Sequence, residues 1–255
     1  KTGTRRYDLE FWLFSNNFNE CTNYISAGIS KICIDIETRG KNLRQSKRNT
    51  FISDHKLEDI IPISKKIGKE KTICRVNSLY ENSIKEVERA IEYGAGTIII
   101  PYFKEIDDLH KFLFFIKGRV KVIALVETIQ SFLKIEEISK IKDIERIHIG
   151  LNDLSLEVGF DDMFEIVRAN WMEIISKKID SNTKFGFGGI SSLQDNKCIY
   201  PVKEVLNHHK RCGSSSVIIS RSFERYCKSE SHINSVPFWN IYKKELDSIK
   251  KYINY

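Results

Sequence analysis

Proline is scarce in this 255-residue chain, at four residues, and glycine adds only 13. So small a share excludes collagen-like and low-complexity material. No uncharged apolar stretch approaches the ~18 residues that a membrane-spanning helix needs. The opening stretch, KTGTRRYDLEFWLF, holds no apolar run of signal-peptide type. Six cysteines are present, at positions 21, 33, 74, 198, 212 and 227, and none makes a CxxC or another close metal-type pair. Cys33 and Cys74 lie inside apolar runs, where a thiol behaves as a small hydrophobe. The reading is a reduced, cytoplasmic protein with no disulfide framework and no membrane partner.

Apolar residues make up 41% of the chain and charged residues 29%. That is enough to bury a core in one large domain or two small ones. The net charge is +7, which admits anionic partners. Lysines alternate with acids, as in KKIGKEK and SKIKDIER, instead of forming the stripe that nucleic acid needs. No nucleic-acid partner is expected.

Eight short, β-branched runs recur at residues 11–14, 31–37, 72–77, 96–101, 120–127, 146–150, 184–190 and 216–220. Nearly continuous apolar runs of this kind are strands buried on both faces. Helical periodicity fills the gaps: Ile84, Val87, Ala90 and Ile91; then Ile106, Leu109, Phe112, Leu113 and Ile116; then Phe132, Ile135 and Ile138. Strand–helix alternation over ~250 residues predicts a parallel (β/α)8 barrel, with a doubly wound open sheet as the other arrangement. The barrel domain is read as 1–225. Residues 226–255 form a helical extension with Trp239, Tyr242, Leu246 and Ile249 in register. His208 and His209 fall on the helix before the last strand and read as surface residues.

A barrel of this kind works at the C-terminal ends of its strands. Those ends carry Asp35 and Glu37, Arg75 and Asn77, Glu127, Gly150 with Asn152 and Asp153, and Arg221. Such charges at one mouth must be paired or metal-bound. Glu127 and Asp153 are the best ligands for a hard cation, Mg2+ or Mn2+. Arg75 is placed to bind a carboxylate or a developing enolate oxygen. The same set also reads as a structural salt-bridge cluster. Arg221 reads either as a substrate contact or as a partner of Asp35 or Glu37.

The strings CIDIE, CRVN, GAGTIIIPYF, ALVETIQSF and IHIGLNDLSLEVG occur in that order. Together they resemble the HpcH/HpaI aldolase/citrate lyase family over residues 9–225, with ALVET…GLNDLS the most specific part. The resemblance implies a TIM barrel of the phosphoenolpyruvate/pyruvate-binding type, Mg2+ or Mn2+, and usually a homo-oligomer. It implies carbon–carbon bond cleavage or formation next to a pyruvate-like 2-oxo acid, with an aldehyde or acyl partner. By it, Glu127 and Asp153 are metal ligands, Arg75 steadies the enolate oxygen, and Asp35 and Glu37 match the acidic strand-two motif. The pyruvate aldolases of the family carry His directly after that Glu, and the citrate lyase type carries an acid; here the position is Thr38. A Thr hydroxyl is a poor base unless activated. His55 is the candidate replacement, with a surface or helix-capping role as its other reading. Asn77, Gly150, Asn152 and Arg221 are candidate substrate contacts. Arg44 joins them from a basic loop that also holds Arg39, Lys41, Lys47 and Arg48. A CoA-thioester lyase or hydrolase, or a barrel retained for binding or assembly, are the alternative functions.

Overall fold

The structure, a computed structural model, describes residues 8–41 and 53–254. Nine parallel strands form one sheet: β1 (Glu10–Phe14), β2 (Lys31–Asp35), β3 (Thr72–Arg75), β4 (Thr97–Ile100), β5 (Lys121–Val126), β6 (Arg146–Ile149), β7 (Lys184–Phe187), β8 (Gly189–Ile190) and β9 (Ser216–Ile219). Hydrogen bonding runs in the order β7-β6-β5-β4-β3-β2-β1-β9-β8. Helices connect the strands, so the chain is the expected α/β barrel.

The run expected as one strand at 184–190 is broken in two. β7 pairs with β6, from Arg146 opposite Lys184 to Ile149 opposite Phe187. β8 pairs with β9, with Gly189 opposite Ile218. Gly188 joins them at φ +54°, a left-handed conformation that glycine adopts without strain. The Ser215 amide donates to Phe185 O at 2.7 Å, and the Ile218 amide to Gly188 O at 3.2 Å. One kinked segment thus serves two neighbours and nearly closes the barrel.

Side chains alternate between two cores, as period-two strands require. Phe11, Leu13, Ile32, Ile34, Ile98, Ile100, Ile147 and Ile149 belong to the cluster between strands and helices. Trp12, Cys33, Ile73, Ile99, Ile123 and Leu125 form a separate cluster inside the barrel. Interior layers of this kind make the barrel a packed core rather than a pore. Arg146 sits deep in it, bonded to Ser215 Oγ at 2.8 Å and paired with Glu10 at 3.1 Å.

Three other expectations meet a different local structure. The helical pattern at 132–138 is two short helices, Ile129–Leu133 and Ile135–Ser139. Thr128 caps the first through the Ser131 amide, and Lys134 closes it with a bond to Ser131 O. His208 and His209 are buried, not superficial. His209 stacks on Phe187 at 3.8 Å and bonds Ser214 Oγ at 2.7 Å, while His208 meets Glu173. The helix after β9 spans Arg221–Asn234, across position 225. The last helix, Phe238–Ile253, buries Tyr242, Leu246 and Ile249, with Tyr242 edge-on to Phe223 and Tyr24. All six cysteines are free thiols. Among the described residues, no helix is long and apolar enough to cross a membrane.

Gly186 faces the barrel interior, where an added Cβ would lie 2.0 Å from Ser216 Oγ, 2.8 Å from Ser216 O and 2.9 Å from His148 Nδ1. Gly186→Ala is expected to lower stability by about 1–3 kcal/mol, the usual range for overpacking a filled core. Urea denaturation followed by circular dichroism reads the change.

Candidate active site

The strand ends meet in a cavity of about 480 Å³ at the C-terminal mouth. Its apolar wall includes Trp12, Phe14, Ile99 and Leu125. Its polar lining includes Lys41, Arg75, Glu127, Asn152, Asp153 and Arg221.

β2 and β3 supply one half of the site. Asp35 and Arg75 are register partners, and two parallel bonds join them: Nε to Oδ1 at 2.8 Å and Nη2 to Oδ2 at 2.7 Å. Arg75 Nε also lies 3.4 Å from Glu37 Oε2. Lys41 bridges the same acids, at 3.1 Å from Asp35 and 3.2 Å from Glu37. Glu37 is fully buried and Lys41 only 3% exposed. Two cations and two anions therefore balance below the mouth. Burial pushes the Asp35 carboxyl up, but Arg75 and then Lys41 outweigh it and hold Asp35 well below the usual carboxylate range. Asp35 is held as a carboxylate by these cations, and Glu37 stands behind the same two. Arg75 Nη1 has no partner among the described residues, and its guanidinium lies 4.7 Å from the Phe14 ring centroid.

Asn77 belongs to the scaffold rather than to the substrate. Its Oδ1 accepts the amides of Thr38 and Arg39, at 2.9 and 3.0 Å. Its Nδ2 donates to Ile36 O and Glu86 Oε2, at 3.1 and 2.8 Å. All four hydrogen-bonding positions of the carboxamide are used inside the protein. Thr38 is exposed, and only its backbone takes part in this pinning. His55 does not line the cavity; its Nδ1 accepts the Asp35 amide at 2.9 Å, and burial lowers its pKa. It supports β2 at the place where a base was expected. Arg44, Lys47 and Arg48 lie outside the described residues.

β4, β5 and β6 supply the other half. Glu127 follows β5 and is nearly buried, with Oε1 accepting the Tyr102 amide at 3.0 Å. Tyr102 holds φ +45°, a strained value for a residue with a side chain, which aims that amide. Gly150 leaves the space that Glu127 occupies: a Cβ there would lie 2.6 Å from Oε2. Asp153 stands in the first turn of the helix Leu151–Val158 and is likewise nearly buried. Asn152 Nδ2 donates to Asp153 Oδ1 at 3.3 Å. Arg221 opens the helix after β9, and burial together with Arg225 lowers its pKa.

The sequence profile of the HpcH/HpaI aldolase/citrate lyase family matches residues 11–169, which span β1–β6 and all of the carboxylates above. The chain belongs to this family. No curated protein sequence matches it. Among solved structures, an HpcH/HpaI aldolase from Desulfitobacterium hafniense DCB-2 is 13% identical with a TM-score of 0.64, covering 90% of this chain and 94% of that one. A citrate lyase β subunit from Mycobacterium tuberculosis is 16% identical with a TM-score of 0.58, over 86% and 94%. Another M. tuberculosis protein, solved in complex with magnesium and acetate, is 15% identical with a TM-score of 0.57, over 93% and 92%. At these identities the structural likeness speaks for the fold, and the family membership places the chain among lyase-type barrels.

Lyase-family strand ends here depend on a buried charge pair whose loss can be measured. Asp35→Asn leaves Arg75 and Lys41 short of one anion, and is expected to cost about 3–5 kcal/mol at pH 7. The Asp35 pKa is lower folded than unfolded, so its stabilisation is complete above the unfolded pKa of about 3.9. It fades as pH falls below that value toward the folded pKa. Denaturation of the wild type and Asp35→Asn at pH 7 and at pH 3 is expected to show the gap narrowing at the lower pH.

Proposed function

We propose that the chain is a divalent-metal-dependent carbon–carbon lyase acting next to a 2-oxo acid, by way of a pyruvate-type enolate. The observation that carries this reading is the meeting of Glu127, Asp153 and Arg75 around one cavity, with Arg75 Nη1 uncommitted. Among the described residues no group of three or more His, Cys, Asp or Glu could hold a metal alone. Two nearly buried carboxylates fit a small hard cation that completes its shell with water and substrate oxygens. Mg2+ or Mn2+ held by Glu127 and Asp153 would supply Lewis-acid polarisation of the oxo group.

The remaining work falls to the chain itself. Arg75 offers fixed positive charge to an oxygen that gains negative charge, and its two carboxylate partners stop it from turning away. Trp12, Phe14, Ile99 and Leu125 keep water from the reacting carbon. The Tyr102 amide fixes the orientation of Glu127. Arg221 is the proposed partner for the substrate's own carboxylate. Thr38 and His55 have no proton step in this scheme, because one is exposed and the other is tied to β2. The substrate class is therefore a small 2-oxo acid, with the aldehyde or acyl partner entering from the open mouth.

Exchange of pyruvate methyl protons in D2O, and oxaloacetate decarboxylation, test the reading without the natural partner. Both are expected with Mg2+ or Mn2+, and both are expected to vanish with EDTA. Glu127→Gln and Arg75→Gln are each expected to lower the rate about a hundredfold or more. Failure of the wild type to bind Mn2+ or to catalyse either reaction overturns the proposal.

A further inference from the structure

The cavity floor holds a residue that the scheme above leaves idle. His148 lies on β6, two residues before Gly150, and points into the barrel beside Trp12, with ring centroids 5.3 Å apart. It is 1% exposed, and its ring lines the same cavity as Glu127 and Asp153. Nδ1 lies 3.4 Å from Ser216 Oγ. Nε2 is buried and has no hydrogen-bond partner among the described residues. A buried polar atom without a partner costs stability, and barrel interiors ordinarily fill such positions with aliphatic side chains.

The surroundings keep this ring in place. Gly186, on the neighbouring strand, supplies the room, since a Cβ there would lie 2.9 Å from Nδ1. Ser216 is fully buried, and its hydroxyl makes this bond to the ring and no other among the described residues. Either side of this contact can donate; the arrangement in which the hydroxyl gives its proton to Nδ1 places the ring proton on Nε2.

We infer that His148 is a substrate-contacting residue, whose Nε2–H donates to an oxygen of a small oxo or hydroxy acid bound between Glu127, Asp153 and Arg75. The inference rests on the proposed function only in seating the substrate in this cavity. Burial, with Arg146 adding to it, pushes the ring's pKa down to about 3, so the contact is a neutral one across the working pH range. A neutral donor recognises a carbonyl or hydroxyl oxygen by direction rather than by charge. It thereby separates 2-oxo and 2-hydroxy acids from simple carboxylates that Arg75 and Arg221 would hold equally well.

Two measurements test this. In protein carrying 15N-labelled histidine with Mg2+ present, the His148 Nε2 signal is assigned by its loss in His148→Gln. It is expected to show the Nε2–H tautomer and to shift on titration with pyruvate and, separately, with lactate. In the pyruvate exchange assay, His148→Leu is expected to raise KM about tenfold with kcat little changed, as the loss of a hydrogen bond made equally in ground and transition states does. His148→Gln, which keeps a donor, is expected to recover most of that loss. An Nε2 signal that neither acid shifts overturns the inference, and so does a folded His148→Leu with the wild-type KM. A wild type that shifts the signal yet catalyses no exchange sinks the lyase reading and leaves the His148 contact standing.

Discussion

Arg75 is held from two sides by buried carboxylates, and the rest of the mouth is arranged around that restraint. A guanidinium taken out of water is expensive unless its partners come with it. Here Asp35 supplies a two-pronged grip and Glu37 a second anion, and Lys41 brings the total back to neutrality. Replacing a buried charged set of this kind by hydrophobic residues of similar volume is often neutral or stabilising. What the charged set provides instead is direction. Three of the four side chains are almost wholly buried, and the fourth, Arg75, still shows 16% of its side chain to the cavity. The network is a mount that presents one cation to the cavity and neutralises the described charges behind it.

Space is the second constraint, and it is met by side chains that are missing. Gly150 makes way for Glu127, and Gly186 for His148 and Ser216. Gly188 lets one segment leave β6 and join β9. A barrel interior filled with aliphatic layers has no place for polar groups at half-depth. Missing side chains just after β6 and on β7 open one sector of it, and that sector is where the carboxylate and the imidazole stand.

Much of this architecture was legible in the residue pattern. The eight apolar runs stand out because parallel strands are buried on both faces, and seven of the eight are unbroken strands within a residue or two. The break at Gly188 was not legible, since FGFGGI (185–190) is apolar throughout and backbone sign does not show in hydrophobicity. The interruption at Lys134 was hidden for a related reason: the apolar spacing continues across two short helices that share a face. His208 and His209 were misjudged because histidine carries no burial signature of its own. That Glu127, Asp153 and Arg75 line one cavity was legible by position, since a charge closing an apolar strand has few places to go. Lys41 was lost among the other cations of its loop, and only the fold shows that it alone of the described ones turns inward to Asp35 and Glu37. Asn77 looked like a ligand contact and is a staple, a distinction that depends on Glu86 and on the Ile36–Arg39 backbone.

Charge balance links the mount to the proposed chemistry. With Asp35, Glu37, Lys41 and Arg75 summing to zero, the formal charges left on the described cavity lining are Glu127, Asp153 and Arg221, a net of −1. A net of −1 on the described lining disfavours a carboxylate. Under the proposed function, a divalent cation between Glu127 and Asp153 would turn the net to +1, and the same interior would then attract a monoanionic oxo acid. Metal and acid would be coupled through the field of the cavity, apart from any bond they shared. The cation would then enter first, into a negative site, and the acid second, into the site that the cation had made positive.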